Sequence, residues 1–111
     1  MTIEKSLISG STAMLILKLL EEKEMYGYEM IETLREKSQN VFELRAGTLY
    51  PLLHQLEKNG CLISREKEVH GKIRKYYAVT GRGKKELEKR QSDWKQYVKA
   101  VTDVICPGGG V

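Results

Sequence analysis

Gly47-Thr48-Leu49-Tyr50-Pro51-Leu52-Leu53-His54-Gln55-Leu56-Glu57-Lys58-Asn59-Gly60 is the stretch on which the fold turns. Leu49, Leu52, Leu53 and Leu56 stand at i, i+3, i+4 and i+7. That spacing predicts a helix with one apolar stripe, starting between Ala46 and Thr48 and ending at Lys58. Asn59-Gly60, a pair suited to a left-handed cap, stops it. Pro51 is expected inside the first turn after a Thr48 start, where its missing N–H has no partner to lose.

Downstream the period changes to two. Cys61, Leu62 and Ile63 lead into Ser64 to Val69, and Ile73 to Val79 forms a second extended run. His70-Gly71 between them is a turn signal, so the two runs form a hairpin whose register the sequence leaves open. Between Ser64 and Tyr77 five residues are basic (Arg65, Lys67, Lys72, Arg74, Lys75) and two acidic (Glu66, Glu68). Lys72, Arg74 and Lys75 directly follow the turn, where long cationic chains reach phosphates or a minor groove. The plain alternative is a solvated hairpin tip.

Upstream, Ser11 or Thr12 is expected to cap a helix running through Ala13, Met14, Leu15, Ile16, Leu17, Leu19 and Leu20. Apolar on nearly all sides, it belongs at the centre of the core. Tyr26 to Ser38 reads as a one-sided amphipathic helix on Met30, Ile31 and Leu34, with Gly27 permitting close packing near its start.

At the other end Thr80 caps a last helix. Leu87, Trp94, Val98, Val101 and Ile105 recur along it at steps of seven, four, three and four, a stripe for lengthwise packing on another helix. From Lys84 to Ile105 it spans roughly 33 Å, more than so small a core can cover. Trp94, Tyr97, Val98, Val101 and Val104 would then face solvent in a monomer, which predicts a homodimer. The candidate interface is Leu87, Trp94, Tyr97, Val98 and Val101. Trp94 is either interface packing or a flat surface for a planar aromatic ligand between subunits.

Three helices and a hairpin give an α+β, mainly α architecture, the winged helix-turn-helix. Residues 1–80 form the winged unit, 81–105 a dimerisation helix and 106–111 a flexible tail. One helix fits the major groove, and the candidate reader is the third. Its leucine stripe faces inward, leaving Thr48, Tyr50, His54, Glu57 and Lys58 on other faces. Tyr50 either meets DNA or packs on a neighbouring helix. A two-fold dimer sets two such helices roughly 34–36 Å apart and calls for a palindromic operator.

Totals agree with one small domain. The chain has 111 residues, 41% apolar and 31% charged, with a net charge of +4 and a pI near 9.1. That balance suits a folded chain with an acidic partner. No apolar run approaches the roughly 20 residues that cross a bilayer, and no charged-then-apolar leader opens the chain. Cys61 and Cys106, 45 positions apart, read as a core thiol and a tail thiol in a reducing cytoplasm. Neither metal nor cofactor is indicated. With only His54 and His70 as histidines and no phosphate loop, an enzyme is not expected. The competing class is a winged helix used only for protein–protein contact, without specific DNA binding.

The string Gly47 to Gly60 closely resembles the recognition-helix signature of the PadR family of regulators. Arg74-Lys75-Tyr76-Tyr77-Ala78-Val79-Thr80, followed by Gly83 and Leu87, is similar to that family's wing strand and last helix. Tyr26-Gly27-Tyr28-Glu29 looks like the start of its second helix. The likeness covers roughly residues 9 to 100, and the single C-terminal helix resembles the short subfamily. It implies a homodimeric repressor at a promoter palindrome, with planar compounds held at the position of Trp94. It also implies DNA contacts from Thr48, Tyr50, Lys72, Arg74 and Lys75. Arg45-Ala46 stands where relatives carry a small polar residue and proline, which weakens the cap and offers Arg45 to a phosphate. The candidate DNA-binding set is thus Tyr26, Arg45, Thr48, Tyr50, His54, Lys72, Arg74 and Lys75.

Overall fold

A computed structural model describes residues 3–106 and 108. The chain order is α1 (Lys5–Ser9), α2 (Thr12–Glu22), β1 (Met25–Tyr26), α3 (Gly27–Lys37), α4 (Ala46–Lys58), β2 (Leu62–Val69), β3 (Lys72–Val79) and α5 (Gly81–Ile105). Most of the tail expected at 106–111 lies outside the described residues.

The core forms where the apolar stripes converge. Ile16, Leu17, Leu19 and Leu20 of α2 meet Met30 and Leu34 of α3, Leu49, Leu53 and Leu56 of α4, Leu62 and Tyr77 of the hairpin, and Leu87 of α5. Leu52, the fourth member of the α4 stripe, is half-buried at the edge of this cluster.

Local chemistry departs from the sequence expectations at four points. Ser11 stands at the N-cap of α2, yet its side chain makes no cap bond. Ser11 Oγ and Thr12 Oγ1 donate instead to the Ile8 carbonyl, at 3.3 and 2.9 Å, because α1 places that acceptor within reach. Helix α4 begins at Ala46, so Pro51 lies inside it, beyond the first turn. The carbonyl deprived of a donor is that of exposed Gly47, open to water. In the stop after α4 only Gly60 takes a positive φ, +81°, while Asn59 stays right-handed.

The fourth departure is β1. The sheet is three-stranded and antiparallel in the order β1-β3-β2, with Met25 opposite Tyr77 and Tyr26 opposite Tyr76. A two-residue strand offers no alternation to detect in a sequence. Its effect is large, because it ties the start of α3 to the hairpin.

Thr80 behaves as expected and does more. Its Oγ1 accepts from the Gly83 amide at 3.0 Å and donates to the Gly60 carbonyl at 2.6 Å. Its amide donates to the Cys61 carbonyl. At Gly83 an added Cβ would run into the Cys61 carbonyl and lie 2.6 Å from Val79 Cγ2. Glycine there lets the first turn of α5 press on the α4–β2 junction. That clamp aims the helix.

Among the described residues no helix is long and apolar enough to cross a membrane.

Candidate nucleic-acid interface

The N-terminal end of α4 is open. Arg45 occupies the N-cap position without a side-chain cap bond, and Arg45, Ala46, Gly47 and Thr48 are all exposed. The Thr48 amide is spent on the Arg45 carbonyl, and the positive end of the helix dipole lies among these exposed residues, an arrangement suited to a phosphate. His54 is exposed on the same helix.

Tyr50 has a divided role. It is 40% exposed, but its hydroxyl end rests on Gly27 of α3. A Cβ at Gly27 would fall 2.7 Å from Tyr50 Cζ, so the glycine makes room for the ring. Tyr50 therefore wedges α4 against α3 while one flank stays solvated.

The hairpin turns on His70 and Gly71, whose φ angles of +52° and +78° make a two-residue turn matched to strand twist. Val69 pairs with Lys72, Lys67 with Arg74, Arg65 with Tyr76, Ile63 with Ala78 and Leu62 with Val79. Residues opposite one another share a face, and faces alternate along each strand. One face thus holds Arg65, Lys67, Lys72 and Arg74 around Tyr76 and Tyr26. The other holds Glu66, Glu68 and Lys75, and at its base the buried Leu62 and Tyr77. The charge surplus is one-sided. Lys72 and Arg74 share the cationic face, whereas Lys75 lies on the opposite one.

Aromatic rings organise that face. Tyr26 meets Tyr76 edge-on, with centroids 5.4 Å apart. The Arg74 guanidinium lies 4.4 Å from the centre of the Tyr26 ring, and Lys67 Nζ 4.1 Å from that of Tyr76. Such contacts hold long cationic chains in one orientation. Tyr26, placed in the candidate DNA-binding set by sequence, is thus a support for Arg74.

Sequence reasoning left Arg65, Lys67 and Glu24 out of the candidate set. Glu24 Oε1 accepts from Arg65 Nη2 at 2.7 Å and from Lys67 Nζ at 2.6 Å, and Oε2 accepts from Arg65 Nε at 3.2 Å. The hydrogen-bonded Arg65 guanidinium, then the Lys67 ammonium, hold the Glu24 carboxyl at about 2, below its ordinary 4.5. The same pairing raises Arg65. Lys and Arg at every second position, 65, 67, 72 and 74, were the available signal for a one-sided face.

Along α5 the expected interface divides. Leu87 is 1% exposed and sits in the core of its own chain, so it is removed from the intersubunit set. Seven residues on, beyond the reach of that core, Trp94 is 47% exposed. Tyr97, Val98, Val101, Val104 and Ile105 are exposed as well. Two grooves, of about 270 and 530 Å³, share Trp94, Ser11 and Met14 as walls. One extends toward Phe42 and Lys95, the other toward Leu7 and Tyr97. Among the described residues no group of three His, Cys, Asp or Glu side chains is placed to hold a metal.

Comparison with known proteins agrees with this geometry. The profile of the Transcriptional regulator PadR-like family matches residues 16–89. The structure of a transcriptional regulator from Clostridium thermocellum is similar with a TM-score of 0.84 and 31% identity, over 89% of this chain and 97% of that one. A PadR family transcriptional regulator from Eggerthella lenta gives 0.83 and 31%, over 93% and 88%. The transcriptional regulator Rv3488 of Mycobacterium tuberculosis is 33% identical over 67 residues, 60% of this chain and 63% of that protein.

Proposed function

This chain belongs to the PadR-like family of transcriptional regulators, and on that premise we propose that it is a homodimeric repressor gripping a palindromic promoter site. The family regulates transcription and is not enzymatic, so the chemistry is that of binding. The observation that carries the proposal is the cationic wing face in one chain with an apolar stripe on the second half of α5. Phosphates are the partner for the first, a second copy for the second.

In this reading α4 enters the major groove by its open N-terminal end. Thr48 and His54 lie on its accessible surface, and Arg45 reaches a phosphate. The wing's Lys72 and Arg74 track the backbone beside it and contribute affinity without sequence preference. A protein–protein module would have no use for four cations gathered on one hairpin face, and this favours nucleic acid.

The experiment is a gel shift with the duplex lying upstream of the protein's own coding region, repeated over a range of salt. Binding that weakens steeply with salt supports the reading. A K72A/R74A/K75A variant that binds as tightly as wild type would remove the wing from it.

Ligand-controlled release belongs to the same proposal. Of the grooves beside Trp94, that of about 530 Å³ falls within the roughly 300–1,000 Å³ range of small-molecule sites and that of about 270 Å³ just below it. A planar aromatic compound stacked there should quench Trp94 fluorescence and loosen the DNA complex. Unchanged fluorescence and DNA affinity across a panel of such compounds would dispose of the effector.

A further inference from the structure

The wing carries four cations on one face, yet two of them already have a partner inside the chain. Arg65 presents a forked, two-bond contact to Glu24, the geometry in which a guanidinium meets a carboxylate or a phosphate most strongly. Lys67 shares the same Oε1 and is also held over the Tyr76 ring. Exposure runs the other way from charge pairing: the Glu24 side chain is 24% exposed, that of Arg65 65%. The acid thus sits beneath the cations, and the cations form the surface that a phosphate would meet first.

We propose that Glu24 is a positioning residue that acts as an internal phosphate mimic, withholding Arg65 and Lys67 from DNA and leaving Lys72 and Arg74 as the wing's working cations. The inference rests on the reading of the wing as a DNA-binding surface. Its physical basis is competition. A DNA phosphate can recruit Arg65 only by displacing a carboxylate already bonded at 2.7 Å, or by sharing the guanidinium with it. Affinity and its salt dependence both scale with the number of phosphates neutralised. Glu24 therefore sets the wing's grip below what its lysines and arginines could supply. A regulator that must leave its operator gains from that restraint.

The test is a double-mutant cycle on the full-length protein with a mixed-sequence DNA duplex several helical turns long, titrated across salt. Glu24→Gln keeps the side chain's shape and removes the charge. It should bind at least about fivefold more tightly at low salt, with log K against log salt steeper by about 0.9 for each cation released. Arg65→Ala should change affinity by less than about twofold when Glu24 is present, because Arg65 is not spent on DNA. In the Glu24→Gln background the same substitution should remove Arg65's share of the gain and about 0.9 of the added salt slope, leaving the part that Lys67 supplies, a coupling that mere bracing of the hairpin would not produce. Glu24→Gln binding no more tightly than wild type, or Arg65→Ala weakening both backgrounds equally, overturns the proposal. Should Glu24→Gln not fold, Arg65→Ala alone still decides it: a tenfold loss with Glu24 intact is contrary. Lys72→Ala separates the two levels. If it weakens binding while the cycle shows no coupling, only the sequestration is wrong. If neither wild type nor any variant binds the duplex, the DNA-binding reading fails and the proposal with it.

Discussion

Two parts of the chain stand out from the core, and they are dressed in opposite ways. The hairpin covers one face with Arg65, Lys67, Lys72 and Arg74; the second half of α5 exposes Trp94, Tyr97, Val98, Val101, Val104 and Ile105. The projections stretch the molecule to 57 Å and its radius of gyration to 15.8 Å, above the roughly 13 Å of a compact chain this long. The core takes Leu62 and Tyr77 from the base of the hairpin and Leu87 from the first half of α5, while the hairpin tip and the second half of α5 lie outside it. Charge on the hairpin is soluble and asks for phosphates, whereas apolar area on a helix asks to be covered. One chain thus carries two surfaces of opposite character, and the proposed symmetrical dimer on DNA would use both.

Breaking the apolar arm should have the largest effect. V98D with V101D places two charges in the proposed seam, and the expected result is a monomer with its core intact. Affinity for a palindromic duplex should then fall on the order of a hundredfold, because two linked half-site contacts become one. Sedimentation and a gel shift check this. A variant that stays dimeric would place the seam elsewhere.

The charged arm makes a finer test, since its two faces differ. Lys72→Ala should weaken DNA binding by about one phosphate contact and flatten the salt slope by about 0.9 per chain. Lys75→Ala, on the other face, should do much less. Equal losses in a salt titration would show that both faces of the hairpin meet DNA.

The junction between the arms is Thr80. Thr80→Ala removes the cap on Gly83 and the bond to the Gly60 carbonyl, at a cost of about 1–2 kcal/mol read by thermal melting. Dimerisation at high concentration should survive. An unchanged melting temperature would mean that packing at Gly83 alone aims α5.

The smallest effect is a pH dependence. Glu24 is held at about 2 in the folded chain, below its ordinary 4.5. Its contribution is therefore complete above about 4.5 and fades as pH falls toward 2. Wild type should melt slightly above E24Q near neutrality, with the gap closing in acid. A gap that widened on acidification would contradict the pairing.

Much of the fold was legible in the sequence because its signals were local. The leucines of α4 declared their period, Thr80 its cap, and His70-Gly71 the turn. What escaped depended on register or distance. A slip of one residue exchanges every side chain between hairpin faces, so the separation of Lys72 from Lys75 needed the pairing itself. Glu24 stands 41 residues before Arg65, next to the short β1 strand that joins the sheet by pairing with β3. Leu87 fell in the same stripe as Trp94, but the stripe crosses from the protein's own core to its surface between them. Of the site, the residue types were readable; their sharing of faces was not.

The decisive measurement is the mass of the intact protein by sedimentation equilibrium at micromolar concentration. A species of twice the 12.7 kDa chain, lost on V98D/V101D substitution, is the expected result. A single 12.7 kDa species at every concentration would leave each wing alone on the duplex and contradict the two-fold grip.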